Sequence, residues 1–513
     1  IAKRSMARSI KARALPHRVK PLILAGVLII CSICFRSFSN NFTSILQASN
    51  DVFITGRSKY SPKRCPFKLS FYVYDDLPQE FTTDIEQHFT NQTMLQSGNW
   101  DDLHTEHTFV QLFHSSPCRT NNASRADIFV VPYMHLSDCM ITSTLHGGYG
   151  PGCRQINPEK MQRLFDYLGG KETYTSHSKR HLFLTMYHDF MMRKEMTELP
   201  LRIMSSPQDH YRPGYIVVPL ANLSPEFQPS KLLNHSDNWW TRPRKYAFSA
   251  YYGGMNPKMN RKQPRRFRNY FFDSLDKREK LQKQQQRMME NNKTVTGFQG
   301  YSFDPPKNKE KLQKQQQQKM SNNTATNTTA ATLGGMPYAT GFLEKSRTNK
   351  TVDAYDAYQN SIFCPILPGD MPFARRVFDV MFHGCLPVFM KWPSKNGVGK
   401  SWWIPHGHEV KYNYPFHKEL YSFFMKDEDL IDYESFAVEA VGDIGNKTKF
   451  GSMFDMMEAM IEENPNEIRE RQLILKEQVV SLTYGLGEDA HRYDDAFSRV
   501  MKILESMNDY EMV

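Results

Sequence analysis

The chain has 513 residues and a mass of 59.8 kDa, with 40% hydrophobic and 23% charged residues, which excludes a wholly disordered chain and a multi-pass membrane protein. Its formal net charge of +11 resolves by segment: residues 1–20 hold seven Lys or Arg and no acid, and a Gln-rich stretch at 277–319 holds eleven against four Asp or Glu. The remainder is mildly acidic, so the excess is a basic tail and a basic insert, and no nucleic acid is expected as a partner.

In chain order, residues 1–20 read as a cytoplasmic tail. Pro21 to Phe35 is uncharged and apolar, and 21–38 reads as one transmembrane segment flanked by Lys20 and Arg36. The basic side lies before it, which by the positive-inside rule keeps the tail cytoplasmic and the rest luminal, as in a type II signal anchor. A cleaved signal peptide fits less well, because the basic region is long and no small-x-small site follows. A polar luminal stem spans 39–65. Asn41, Asn91, Asn122, Asn234, Asn292, Asn322, Asn327, Asn349 and Asn446 open N-x-[ST] triplets and are the expected glycan sites. Asn222 opens another, but Pro225 follows closely and makes it a poor acceptor. Cys65, Cys118, Cys139, Cys153, Cys364 and Cys385 contain no C-x-x-C pair, which favours disulfides over zinc and leaves their pairing open.

Short β-branched and aromatic runs predict strands at Leu69–Tyr74, Ile128–Tyr133, Leu182–Tyr187, Tyr215–Leu220, Tyr246–Tyr251, Ile362–Leu367, Leu386–Met390 and Phe436–Val441. Stretches with helical spacing separate them, so the fold class is α/β with parallel sheets. Two Rossmann-like domains accommodate the length, an N-terminal one at 66–235 and a C-terminal one at 236–460, divided near the prolines at 225, 229 and 243. Residues 279–286 recur identically at 310–317, and 277–350 is expected to be a disordered, polar insertion. Helices at Glu467–Tyr484 and Ala490–Met507 are expected to close the fold over 461–513.

Residues 361–388 parse as strand, turn, helix, strand. Gly369 makes the turn, Pro372 suits a first helical turn, and Gly384 stops the helix. Arg375 or Arg376 at the helix start would complete an anion site fitted to a diphosphate. Arg376 and Asp379 are three apart and share a face, which sets a carboxylate for ribose hydroxyls beside a guanidinium for phosphates. An ordinary Arg–Asp surface pair has the same spacing. Arg261, Arg265, Arg266 and Arg268 follow another strand and either bind phosphate or line a solvated face. Asp427-Glu428-Asp429 matches D-x-D, but no strand precedes it, and it reads as a helix start. His406, His408 and Glu409 read as an exposed loop. Trp402, Trp403, Tyr412 and Tyr414 either stack on sugars or pack the core.

The 361–388 block resembles the exostosin family of glycosyltransferases, with Phe363, Cys364, Gly369, Asp370, Arg376, Asp379, Gly384, Cys385, Pro387 and Val388 in register. Phe71-Tyr72-Val73-Tyr74, Ala126 to Pro132, Tyr414-Pro415-Phe416, Ile431 to Phe436 and Asp495-Ala496-Phe497 resemble its other landmarks in order. Phe373, Ala374, Pro365 and Pro368 depart from the pattern. The resemblance implies a GT-B fold, two Rossmann-like domains around a cleft, and a Golgi type II enzyme that transfers a sugar with inversion from a UDP-linked donor to a glycan or polysaccharide. It places Arg376 at the diphosphate, Asp379 at the ribose, and Gly369 and Asp370 in the donor loop, with the acceptor in the 66–235 domain and the nucleotide sugar in the 236–460 domain; the reading of the residues adds Arg375 and Arg266 to the expected donor site. The resemblance also implies a Cys364–Cys385 disulfide. No cofactor is expected, nor a metal requirement. An inverting transfer needs a base from the N-terminal half, and Asp189, at a strand's carboxyl end, is the choice, with Asp75, Asp76 and Asp138 similarly placed. The rival readings are a non-catalytic partner of another glycosyltransferase, in a homo- or hetero-oligomer, and a luminal glycan-binding protein.

Overall fold

The computed structural model describes residues 64–82, 103–139, 158–186, 199, 201–205, 214–222, 224–253, 271–288 except 272 and 286, 332–333, 336–343, 349–367, 375–391, 414–441 and 449–509. They belong to one compact unit, Tyr60–Val513. The expected anchor lies outside them, and among the described residues no helix is long and apolar enough to cross a membrane.

The first five-stranded sheet holds β1 (Phe71–Val73), β2 (Ile128–Val131), β3 (His181–Leu184), β4 (Leu201–Met204) and β5 (Tyr215–Val217), in that spatial order and parallel throughout. Successive residues of a strand face opposite sides. Ile128 and Val130 accordingly join Phe109, Leu112 and Phe113 of α1 (Leu103–Ser115), while Phe129 and Val131 join Met161, Leu164 and Leu168 of α2 (Pro158–Gly169). Helices cover both faces, so β2, β3 and β4 are buried along their whole length, as parallel sheets require. Each such Val, Leu or Ile contributes roughly 1.5–3 kcal/mol.

Three short helical segments, Pro225–Phe227, Pro229–Asn234 and Asp237–Trp240, occupy the expected divide and lead to the second sheet. Its strands are β6 (Tyr246–Gly253), β9 (Ala339–Leu343), β10 (Ser361–Ile366), β11 (Leu386–Lys391) and β12 (Val438–Val441), after a small antiparallel pair of β7 (Thr332–Leu333) and β8 (Met336–Pro337). The spatial order is β12-β11-β10-β6-β9, again all parallel. Between these strands run α3 (Asn349–Gln359) and α4 (Arg376–Phe382), and after β12 come α5 (Lys449–Glu463) and α6 (Pro465–Val479). The last helix, α7 (Ala496–Asp509), returns to the first sheet, where the Phe497 ring meets Phe113 at 5.1 Å and Phe109 at 6.2 Å.

The structure differs from the expectations in three places. β4 escaped the reading because Arg202 interrupts its apolar run; the side chain is fully buried, with Nε donating to Thr185 Oγ1 at 3.0 Å, Nη1 to the Tyr215 hydroxyl at 2.9 Å, and its plane over the Tyr215 ring. The insertion is ordered at both ends. Helical residues at 273–285 are held by Arg278, which pairs with Asp455 and Glu458, and β9 extends the second sheet while Tyr338 stacks on Phe248 at 4.8 Å. The closing helices begin at Pro465 and end at Asp509, with a 3-10 turn at Val480–Leu482 between them.

Cys364 and Cys385 form a disulfide, as the resemblance implied, and Cys65–Cys118 forms a second; Cys139 is also disulfide-bonded. The first of these ties β10 to the entrance of β11, closing the crossover that carries α4. Gly384 ends α4 with φ of 70°, and a Cβ there would stand 2.8 Å from Arg244 Nη2 and 3.1 Å from the Trp240 ring. Arg244 needs that space, because it donates to the carbonyls of Trp240, Gln359, His383 and Gly384, satisfying the open C-terminal end of the helix. Gly384→Ala is therefore expected to destabilise the protein by about 2 kcal/mol or more, read as a lowered urea midpoint; an unchanged midpoint would contradict this packing.

Candidate functional site

Strand order locates the site. In the second sheet the chain goes from β6 to β9 on one side and then crosses to β10 on the other, the order in which an open parallel sheet has its switch point between those two strands. Ligands of such sheets bind outside the carboxyl ends of the strands flanking that point. β6 ends at Gly253 and β10 at Ile366, so the segments that carry Arg266, and Gly369 with Asp370, both leave from the switch point. Those three residues lie outside the described part of the chain. The first sheet runs in sequence order and has no switch point.

The segment after β10 re-enters the described structure at Arg375. α4 starts at Arg376 and has seven residues; the earlier start expected at Pro372 falls outside the described residues. Arg376 is half-buried, while Asp379 is only 9% exposed. The expected pairing on this helix is shifted by one residue. Arg375 meets Asp379 Oδ1 through Nε at 3.4 Å, and its Nη2 donates to the Tyr355 hydroxyl at 3.3 Å. The same carboxylate oxygen accepts from Asn222 Nδ2 at 2.7 Å. Asn222 follows β5, so this bond joins the first sheet to the second at the carboxylate expected to face ribose.

The first turn of α1 supplies the opposing wall, and the sequence reading missed it. Thr105 Oγ1 accepts from the Ala221 N–H at 2.9 Å, which docks α1 beside Asn222. Glu106 is fully buried and accepts from Leu136 N, Ser137 N and Ser137 Oγ, each at 2.9 Å. Those donors lie beyond the carboxyl end of β2, so the helix start is fastened over the strand ends. Burial pushes the Glu106 carboxyl up to about 7 despite these bonds. His104 is half-buried; burial, and then the Arg375 guanidinium nearby, push its imidazole down to about 4. Glu106 shares a helix face with Phe109 and Phe113, at i+3 and i+7, and an acid on an apolar face was the signal available.

Of the carboxylates weighed as a base, Asp75 is paired with Arg119 and His114, Asp76 with Lys171 and Tyr167, and Asp138 is 2% exposed between Lys160 and the Tyr133 hydroxyl. Asp189 lies outside the described residues, as do Trp402, Trp403, Tyr412, His406, His408 and Glu409. Tyr414 packs in the core, with its ring 4.9 Å from Tyr433 and 5.0 Å from Phe389. Asp427–Asp429 is one 3-10 turn whose Asp429 pairs with Lys502, in keeping with a helix start. Among the described residues no group of three or more His, Cys, Asp or Glu is placed to hold a metal ion. Asn122 and Asn234 are exposed; the side chain of Asn349 and the remaining expected glycan sites fall outside the described residues.

Two parallel sheets, one with a switch point edged by arginines and a buried carboxylate, define an α/β protein of the kind that takes nucleotides at its strand ends. The chain belongs to the exostosin family of glycosyltransferases: the Exostosin GT47 domain matches residues 66–441, well over half of its length. It is also 27% identical, over 244 residues, to a probable xyloglucan galactosyltransferase GT17 of Arabidopsis thaliana. That match covers 42% of this chain and 47% of the relative, so the chain spans about half the length of the curated relative it matches.

The buried acid generates a pH prediction. The Glu106 carboxyl ionises at about 7 when folded against an ordinary value of 4.5, so the folded state favours its protonated form. Its contribution is fully present below 4.5 and is lost as pH rises through about 7. The stability difference between wild type and Glu106→Gln should therefore move against wild type across that window in urea titrations. A difference that stays constant with pH would contradict the assignment.

Proposed function

We propose that this protein is a Golgi type II membrane glycosyltransferase of GT-B architecture, transferring a sugar with inversion from a UDP-linked donor to a polysaccharide or glycoprotein glycan. The observation that carries this reading is the switch-point crevice edged by Arg375, Arg376 and Asp379. In the reaction, the acceptor hydroxyl oxygen forms its bond to the anomeric carbon as the bond from that carbon to the diphosphate breaks. The bonding electrons leave on UDP, and the hydroxyl proton passes to a base. Arg376 stabilises the departing diphosphate, Asp379 holds the ribose, and Gly369, Asp370, Arg375 and Arg266 complete the donor site. No metal takes part in this scheme.

Asp189 is the base in the sequence reading. A second candidate is His104 in the first turn of α1, half-buried, with its imidazole pushed down to about 4 by burial and then by the Arg375 guanidinium. The two are separated by the transfer rates of Asp189→Asn and His104→Ala at saturating donor: the base is the residue whose loss abolishes transfer while UDP still binds. The name of the Arabidopsis thaliana relative, a probable xyloglucan galactosyltransferase, makes UDP-galactose and xyloglucan oligosaccharides the first donor and acceptor to try.

The full chain, purified in detergent, should be thermally stabilised by UDP in the presence or absence of manganese. Arg376→Ala should remove that shift and lower kcat/KM on the order of 10²-fold, as loss of a preorganised charge partner does. A folded, glycosylated sample that shows no shift with UDP would transfer the weight to a non-catalytic partner of another glycosyltransferase.

A further inference from the structure

Residues 218–222, which leave β5, are fixed by a different element at nearly every step. The Val218 N–H donates to Met204 O at 2.9 Å, and Pro219 O accepts from the Tyr484 hydroxyl at 2.6 Å, a contact from the segment before α7. The Ala221 N–H donates to Thr105 Oγ1 at 2.9 Å. Asn222 then uses both ends of its amide. Oδ1 accepts from the Ser224 N–H at 3.0 Å, and Nδ2 donates to Asp379 Oδ1 at 2.7 Å. Because a backbone N–H must face an acceptor, the Ser224 bond fixes which end of the amide is oxygen and so aims the NH2 at the carboxylate. Asp379 is 9% exposed and lies on α4. Phe227, shortly after Asn222, packs on the end of that helix, with its ring 5.3 Å from Phe382 and 4.9 Å from His383.

We infer that Asn222 is a positioning residue for the donor carboxylate and that, although it opens an N-x-[ST] triplet, it carries no glycan in the folded protein. This rests on the reading of Asp379 as the ribose-binding carboxylate. With Oδ1 held by Arg375 and Asn222, the carboxylate plane is set, and one oxygen is occupied so that the other is presented in a fixed direction. Such support from a neighbouring shell gives a binding group its geometry. A glycan on Nδ2 would stand where the first sheet meets α4, in place of the hydrogen bond to Asp379.

The experiment uses the full chain from a secretory host. Glycopeptide mass spectrometry should find the peptide containing Asn222 unmodified in molecules that are glycosylated at the exposed Asn122 or Asn234; a glycan on Asn222 in folded, UDP-binding protein overturns the inference. Affinities for UDP and 2′-deoxy-UDP are then measured calorimetrically for wild type, Asn222→Ala, Asn222→Asp and Asp379→Asn. Wild type should prefer UDP, and Asn222→Ala should bind UDP about tenfold more weakly, the loss of one charge-assisted bond. Its preference over 2′-deoxy-UDP should shrink as it does in Asp379→Asn. Asn222→Asp keeps the shape but faces Asp379 with a like charge, and should lose more. A structural role alone would weaken both nucleotides equally, so an undiminished preference in Asn222→Ala overturns the inference. Wild type that binds no UDP would instead overturn the functional reading beneath it.

Discussion

One carboxylate, Asp379 on the short helix α4, joins the two halves of this molecule. Asp379 is nearly out of solvent, and a buried carboxylate is tolerated only when its oxygens find charged or polar partners. One partner, Arg375, comes from its own segment, and the other, Asn222, comes from across the cleft. The first sheet is thereby registered against the second where a ligand of the second would bind. Tyr421 adds to the registration by accepting from the Val217 N–H at 2.8 Å, and α7 and Tyr484 carry it round the back through Phe109 and Pro219.

The start of α1 depends on that registration. Its Thr105 and Glu106 are spent on backbone N–H groups at the ends of β5 and β2, and the neighbouring His104 is within electrostatic reach of Arg375.

Much of the fold was legible in the sequence, because burial on both faces of a parallel sheet writes itself as apolar runs. All eight predicted strands have observed counterparts, and the strand, turn, helix, strand reading of 361–388 reappears as β10, α4 and β11 with Gly384 as the stop. β4 was missed because a buried Arg202 looks like a surface residue until Thr185 and Tyr215 are seen around it. β9 was missed because it sits in a stretch whose glutamines and asparagines dominate the composition, while its pairing with β6 is a non-local event. At the site, Arg375, Arg376 and Asp379 could be read from spacing, but the partner of Asp379 could not. The Asn222–Asp379 contact spans 157 residues, and no local pattern encodes a hydrogen bond of that separation.

In the proposed function the nucleotide sits at the carboxyl ends of β6 and β10. Photolabelling of the full chain in detergent with an azido-uridine analogue of UDP, followed by peptide mapping, tests it most directly. The account predicts label in the peptides that follow Gly253 and Ile366, extending towards Asp379 and competed away by UDP. Competable label confined to peptides of the first sheet, at the ends of β2, β3 or β4, would contradict it.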